Sequence, residues 1–168
     1  MLHQLEQWQV RADAFLGHSF GEFAAMLAAG VWDMPTAVRA TFARCDAIQQ
    51  SHIPAAAMVS LLADAEQTQV FLDSLDGQAW IANRNSSSQT VVGGTLAAIT
   101  ALEQLLKSAA CKFKRLAVPC AFHTPLMKAA QSAFDQRLRE LPVHPAAVPI
   151  MSTVSGCYEA DPRRMVSG

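Results

Sequence analysis

Apolar residues recur at helical spacing over the first ten positions, at Leu2, Leu5, Trp8 and Val10. The short apolar run Ala14-Phe15-Leu16 stops at Gly17 and predicts a buried strand. After Gly21 comes EFAAMLAAGV, rich in helix formers and closed by Gly30. Trp32-Asp33-Met34-Pro35 interrupts the pattern, and Pro35 suits the first turn of a second helix running to about Gln50. The character then changes. Ala57 to Leu62 predicts a strand, and Asp64 opens a helix to about Leu75. Asp76-Gly77 turns into a strand over Gln78 to Asn83, and Ser86-Ser87-Ser88 turns into another over Gln89 to Gly93. Thr95 caps a helix to about Ala109, and Lys112 to Leu116 is a further strand.

That order, βαββαβ, is the ferredoxin-like split unit. It is compact enough to fold as a lobe inserted into another. Beyond it, Val118 to Phe122 leads into His123, and Pro125 to Leu141 predicts a helix with apolar residues at 126, 127, 130, 134, 138 and 141. Pro142, Pro145 and Pro149 break the chain before a last strand over Val148 to Val154. The polar tail after Gly156 is expected to fray. The division expected is a large lobe over 1–55, the small lobe over 56–117, and a return to the large lobe over 118–168.

Composition narrows the function classes. Of the 168 residues, 51% are apolar and only 16% charged, so a substantial core is available and part of the surface is expected to be covered. The formal net charge is −1 with no basic block, which leaves nucleic-acid binding without an electrostatic footprint. Cys45, Cys111, Cys120 and Cys157 form no CxxC pair and are expected to be reduced thiols. No apolar run is long enough to span a bilayer, and the first fifteen residues lack a signal-peptide pattern, so a cytoplasmic protein is expected. No spacing suggests a metal site.

The chemistry centres on Gly17-His18-Ser19-Phe20-Gly21, a G-x-S-x-G motif between a predicted strand and a predicted helix. This is the setting of a nucleophile elbow. A sharp strand-to-helix turn strains the serine backbone, and small residues on either side let neighbouring backbone pass. Ser19 Oγ then projects at the positive end of a helix, and the Phe20 N–H can face a developing oxyanion. On the motif alone, a plain glycine-serine turn is the alternative.

Longer segments carry a resemblance. GHSFGEFAAMLAAGV resembles the GHSxGE segment of malonyl-CoA:acyl carrier protein transacylases and polyketide synthase acyltransferase domains. NRNSSSQ resembles that family's N-x-N-S-x-x-Q stretch, CAFHTPLM its xAFHSPLM segment, and PIMSTVSG its PxxSNVTG strand. Four segments in order cover nearly the whole chain. The resemblance implies an α/β fold, a partial hydrolase-like large lobe with an inserted ferredoxin-like βαββαβ small lobe. It implies Ser19 as the acylated nucleophile and His123 as its base, oriented mainly by backbone carbonyls.

It further implies that Arg44, in the ATFARCDAIQQ helix, pairs with the free carboxylate of malonate, a task suited to the planar guanidinium fork. His18, Asn83 and Asn85 become active-site neighbours. Phe122 and Phe20 favour malonyl over methylmalonyl units, because a bulky ring crowds an added methyl. Cys120 departs from the histidine usual in the malonyl version. Glu22 is assigned to its helix's first turn rather than to chemistry.

The reaction implied transfers malonyl from malonyl-CoA to the phosphopantetheine thiol of an acyl carrier protein, with no metal or redox cofactor. Flanking domains of a polyketide or fatty acid synthase are expected partners. The match corresponds to the middle of such a domain. It lacks the first strand with its GQG segment, which contributes to the oxyanion hole, and the C-terminal portion of the large lobe. Two other classes stay open: a serine hydrolase sharing the elbow, which would have no need of Arg44, and a non-catalytic remnant of the fold.

Overall fold

A computed structural model describes residues 2–75, 77–153, 155–159 and 161. In chain order the elements are helix α1 (Leu2–Gln7), strand β1 (Phe15–Leu16), α2 (Gly21–Ala28), α3 (Met34–Gln50), β2 (Ala56–Leu61), α4 (Ala65–Asp73), β3 (Ala79–Ser86), β4 (Gln89–Thr95), α5 (Leu96–Ser108) and β5 (Phe113–Arg115). A 3₁₀ turn (Pro125–Met127), α6 (Lys128–Leu138), β6 (Ile150–Met151) and β7 (Tyr158–Glu159) complete the chain. They fall into two compact units, one of residues 1–47 and 132–168, the other of residues 48–131.

The first unit is built on a three-stranded sheet in the order β1-β6-β7. β1 and β6 run parallel, with Phe15 opposite Ile150, and β7 returns antiparallel to β6. The core joins Met26 and Ala29 of α2, Val31 and Trp32 of the connection, Ala37 and Ala40 of α3, Leu138 of α6 and Ile150. Aromatic rings extend it: Phe23 meets Trp32 edge-on at 5.5 Å and stacks on Phe134 at 5.9 Å. α2 ends as expected at Gly30, which takes φ 77 while Val31 N–H returns to the Met26 carbonyl. At the start of α3, an Asp33 carboxylate oxygen accepts the Thr36 N–H at 2.8 Å, which is the N-cap arrangement.

The second unit contains the four antiparallel strands in the order β3-β4-β2-β5. With α4 and α5 this is the ferredoxin-like arrangement. Both helices start on local caps: Asp64 accepts the Gln67 N–H, and Thr95 accepts the Ala98 N–H. Alternation along the central strands assigns the two faces. Ala57, Val59, Leu61 and Val92 pack with Leu72, Ile99, Leu102 and Leu106 of the helices. Met58 and Val91 point the other way and pack with Ala121, flanked by Leu116, Val118, Phe122 and Leu126.

That second face explains why the unit reaches past the expected 56–117 segment. The chain from Leu116 to Leu126 lies on the sheet as its cover, so the His123 segment is grouped with the strands it packs on. Two further differences concern element ends. The expected helix over Pro125–Leu141 is a 3₁₀ turn followed by α6, and hydrogen bonds tighten to Glu140–Arg137 and Leu141–Leu138 ahead of Pro142. The tail after Gly156 is not wholly frayed, because Tyr158 and Glu159 pair with Met151 and Ile150. Asp76, Val154, Ala160 and positions 162–168, which the expected turn, last strand and tail include, lie outside the described residues. No described helix is long and apolar enough to cross a membrane.

The cap on α3 carries a pH dependence. The Thr36 side chain, followed by the Thr36 backbone N–H, holds the Asp33 carboxyl below its ordinary value of 3.8. A lowered folded-state value contributes stability in full above the ordinary value and loses it as pH falls through the lowered one. In Asp33→Asn, which keeps an acceptor oxygen, the melting temperature is expected to fall less steeply with acidification than in the parent chain. Thermal melts between neutral and strongly acidic pH check this; parallel slopes would contradict it.

Candidate active site

Ser19 stands in the turn between β1 and α2. Its φ is 55, in the left-handed region that costs a non-glycine residue about 1 kcal/mol or more. The turn around it is closed by Gly21 N–H to the His18 carbonyl at 2.9 Å and Glu22 N–H to the Ser19 carbonyl at 3.0 Å. β1 ends just before this turn and α2 starts immediately after it. Gly17 makes the geometry possible. A Cβ placed there would lie 2.2 Å from the Gly21 carbonyl oxygen and 2.5 Å from the Glu22 nitrogen, so backbone passes directly against backbone. The expected strand-turn-helix geometry is therefore present in detail: strand, strained serine, helix, and a glycine where a side chain cannot fit.

The same unit brings Arg44 to the elbow. The Arg44 guanidinium carbon sits 5.5 Å from the centre of the Phe20 ring, and Phe20 is the residue after Ser19. Phe20 also packs on Phe23 at 5.4 Å, so the ring carrying the guanidinium is braced against the core aromatics. Ser19 and Arg44 are half-buried, while His18 and the Phe20 side chain are exposed. The sequence assigned Glu22 only to the helix start. The structure adds a partner for it, since the Thr153 hydroxyl donates to the Glu22 carboxylate and ties α2 to the segment after β6. No local pattern signals a contact between residues so far apart in sequence.

The second unit carries the other expected residues. His123 has φ 59, one of four described non-glycine residues in the left-handed region with Gln9, Ser19 and Ala110, and its side chain is exposed. Phe122, beside it, is half-buried against the sheet-face cluster. Asn83 lies on β3 opposite Val91, next to an irregularity in the strand register between Ile81 and Asn83. Asn85 is exposed and donates from Nδ2 to Gln89 Oε1 at 3.2 Å across the hairpin. The structure thus groups Ser19, Phe20 and Arg44 in one unit, and Asn83, Phe122 and His123 in the other. Among the described residues no group of His, Cys, Asp and Glu has the arrangement to hold a metal ion.

A strained serine between strand and helix, an arginine over the ring of the residue that follows it, and a ferredoxin-like unit bearing a strained histidine define a class of α/β protein with a two-lobed plan. Residues 2–167 match the family described as acyl transferase domain. A PKS-NRPS hybrid synthetase of Aspergillus candidus is 33% identical over 154 residues, which is 90% of this chain and 6% of that protein. A non-reducing polyketide synthase of Metarhizium robertsii is 33% identical over 144 residues, which is 84% of this chain and 7% of that protein.

Solved structures agree. The acyltransferase domain of an iterative polyketide synthase in enediyne biosynthesis superposes with TM-score 0.86 at 30% identity, covering 99% of this chain and 45% of that one. Malonyl CoA-acyl carrier protein transacylase from Burkholderia pseudomallei gives TM-score 0.87 at 31% identity, covering 98% and 57%. The chain belongs to the acyl transferase domain family. It has that family's α/β fold, part of a hydrolase-like large lobe with a ferredoxin-like small lobe, and it spans about half the length of these solved relatives.

The elbow gives a direct test. Gly17→Ala has no space for its methyl group and is expected to lower unfolding stability by about 3 kcal/mol. A denaturant midpoint in Gly17→Ala equal to that of the parent chain would refute the close approach.

Proposed function

We propose that this chain transfers malonyl from malonyl-CoA to the phosphopantetheine thiol of an acyl carrier protein, as the acyltransferase segment of a multidomain polyketide or fatty acid synthase. The observation that carries the reading is the Arg44 guanidinium held 5.5 Å over the Phe20 ring, next to the strained Ser19. A nucleophile beside a fixed cation suits an acyl donor that also bears a free carboxylate, and guanidinium pairs with carboxylate through two parallel hydrogen bonds. A simple esterase has no need of that clamp.

In this reading Ser19 Oγ attacks the thioester carbonyl while His123 takes the hydroxyl proton. Charge developing on the carbonyl oxygen is stabilised by backbone N–H donors at the start of α2, that of Phe20 among them. The C–S bond breaks, and CoA leaves with the proton returned by His123. The malonyl-serine ester is then attacked by the phosphopantetheine thiol, whose proton passes to His123 and on to the departing Ser19 oxygen. Malonyl leaves on the carrier and Ser19 is restored. Every proton is moved by a side chain, so the cycle calls on no metal or redox cofactor.

Partners follow from the chemistry and from the relatives' architecture. The synthases named above are many times longer than this chain, which supports flanking domains and a carrier protein acting with it. The two acyl-carrying partners, CoA and carrier protein, suit a cytoplasmic reaction. In this reading Phe20 and Phe122 favour malonyl over methylmalonyl, as the family resemblance implies, because a bulky ring near the α-carbon crowds an added methyl.

Intact-mass measurement after mixing with malonyl-CoA tests the reading. A malonyl adduct is expected on the parent chain and none on Ser19→Ala. Arg44→Ala is expected to reduce malonyl loading by about 100-fold, the worth of a charged hydrogen-bonded pair, and to raise loading from a neutral acyl-CoA relative to malonyl. Phe122→Ser is expected to shift the preference toward methylmalonyl-CoA. An adduct that survives Ser19→Ala, or equal malonyl loading in Arg44→Ala, would sink the assignment.

A further inference from the structure

We infer that Gly93 of β4 and the Thr124 hydroxyl act together as a positioning clamp for His123. The inference rests on the reading of His123 as the base. It concerns two residues that carry no chemistry themselves.

Three observations converge on it. First, β4 has no side chain at position 93, on the sheet face that bears Val91 and is covered by the His123 segment. A Cβ at Gly93 would lie 2.8 Å from Thr124 Cγ2 and 3.2 Å from Ala121 Cβ. The chain on either side of His123 is therefore seated on strand backbone, at a distance only glycine permits. Gly93 has no positive φ to account for it; the space does.

Second, Thr124 stands at the N-cap of the 3₁₀ turn, where a threonine hydroxyl ordinarily accepts a backbone N–H of the first turn. It makes no such bond. Its Oγ1 instead donates backward to the Ala121 carbonyl at 2.7 Å, and both residues are buried. The bond closes a four-residue loop, 121 to 124, with His123 inside it. Third, His123 itself sits at φ 59. A strained conformation persists only where its surroundings over-determine it. The Thr124–Ala121 bond on one side and the Gly93 contact beneath contribute to that determination, holding the backbone on either side of the imidazole.

A clamp of this kind predicts a particular pattern of rescue. Gly93→Ala collides with the Thr124 methyl, so it should displace the loop. Removing that methyl in Gly93→Ala/Thr124→Ser leaves the hydroxyl bond intact and should restore it. Thr124→Val keeps the shape and deletes the bond, leaving the buried Ala121 carbonyl without its donor.

The experiment uses the full chain and two readouts. One is the rate of Ser19 acylation at varied malonyl-CoA. The other is the NMR signature of the His123 ring and backbone, which needs no turnover. Gly93→Ala and Thr124→Val are expected to lower the maximal acylation rate by about 100-fold, the cost of a misplacement near 1 Å, with little change in the malonyl-CoA concentration giving half-maximal rate. Both should shift the His123 signals while signals of Val59 and Leu102, on the opposite face, stay in place. Gly93→Ala/Thr124→Ser should return rate and signals toward those of the parent.

Unshifted His123 signals in Thr124→Val, or a Gly93→Ala defect that Thr124→Ser leaves untouched, would overturn the clamp. Should Gly93→Ala fail to fold, Thr124→Val alone decides. If the parent chain forms no malonyl-serine, the acyltransferase reading fails, and the His123 signals still decide whether the clamp exists.

Discussion

Gly17 and Gly21 pass so close that a single methyl group between them would overlap a carbonyl oxygen. This approach lets β1 end, turn and enter α2 within a few residues, with the serine at the apex. The strain at Ser19 is small beside the burial it is coupled to. A left-handed serine costs about 1 kcal/mol or more, whereas α2 seats Ala25 and Met26 in the core and leads directly to buried Val31 and Trp32. The same helix, through Phe23, braces the Phe20 ring under the Arg44 guanidinium. Core packing and candidate chemistry in the first unit therefore depend on one backbone contact.

The second unit solves a related problem differently. Its sheet must bury two faces. Alternation in β2 and β4 turns one toward α4 and α5, and hands the other to an irregular segment rather than to helices. An irregular cover has no ladder of its own to define its path. Here the path is set by the strands beneath it, by Ala121 fitting against Met58 and Val91, and by Thr124 bonding back across the turn. The histidine on that cover takes its conformation from the sheet below it.

Much of this is legible in one dimension, and for identifiable reasons. The caps at Asp64 and Thr95 are readable because a cap is a contact between residues three apart. The βαββαβ order is readable because turns and caps punctuate it, with Asp76-Gly77 and Ser86-Ser87-Ser88 between strands and Asp64 and Thr95 ahead of helices. The elbow is readable because its glycines and serine are themselves the constraint. The helix before Pro142 is shorter than its pattern predicts, since an apolar period continues through residues whose backbone has already tightened. The pairing of Tyr158 and Glu159 leaves no mark in a short polar segment, and neither does the hydroxyl that Thr153 offers to Glu22.

The sequence by itself determined the family, the order of most of the elements, and the residue types of the candidate site: Ser19 within its glycines, Arg44 in its helix, His123 in its apolar setting. These are local patterns, and local patterns survive in one dimension. Only the tertiary structure decided that Arg44 lies over Phe20, that the His123 segment covers the sheet, and that Gly93 is needed for space rather than for its backbone angles. Each of those is a contact between residues distant in the chain. Such contacts are selected by packing density and by the cost of leaving buried polar groups unpaired, and neither quantity exists until the chain has folded.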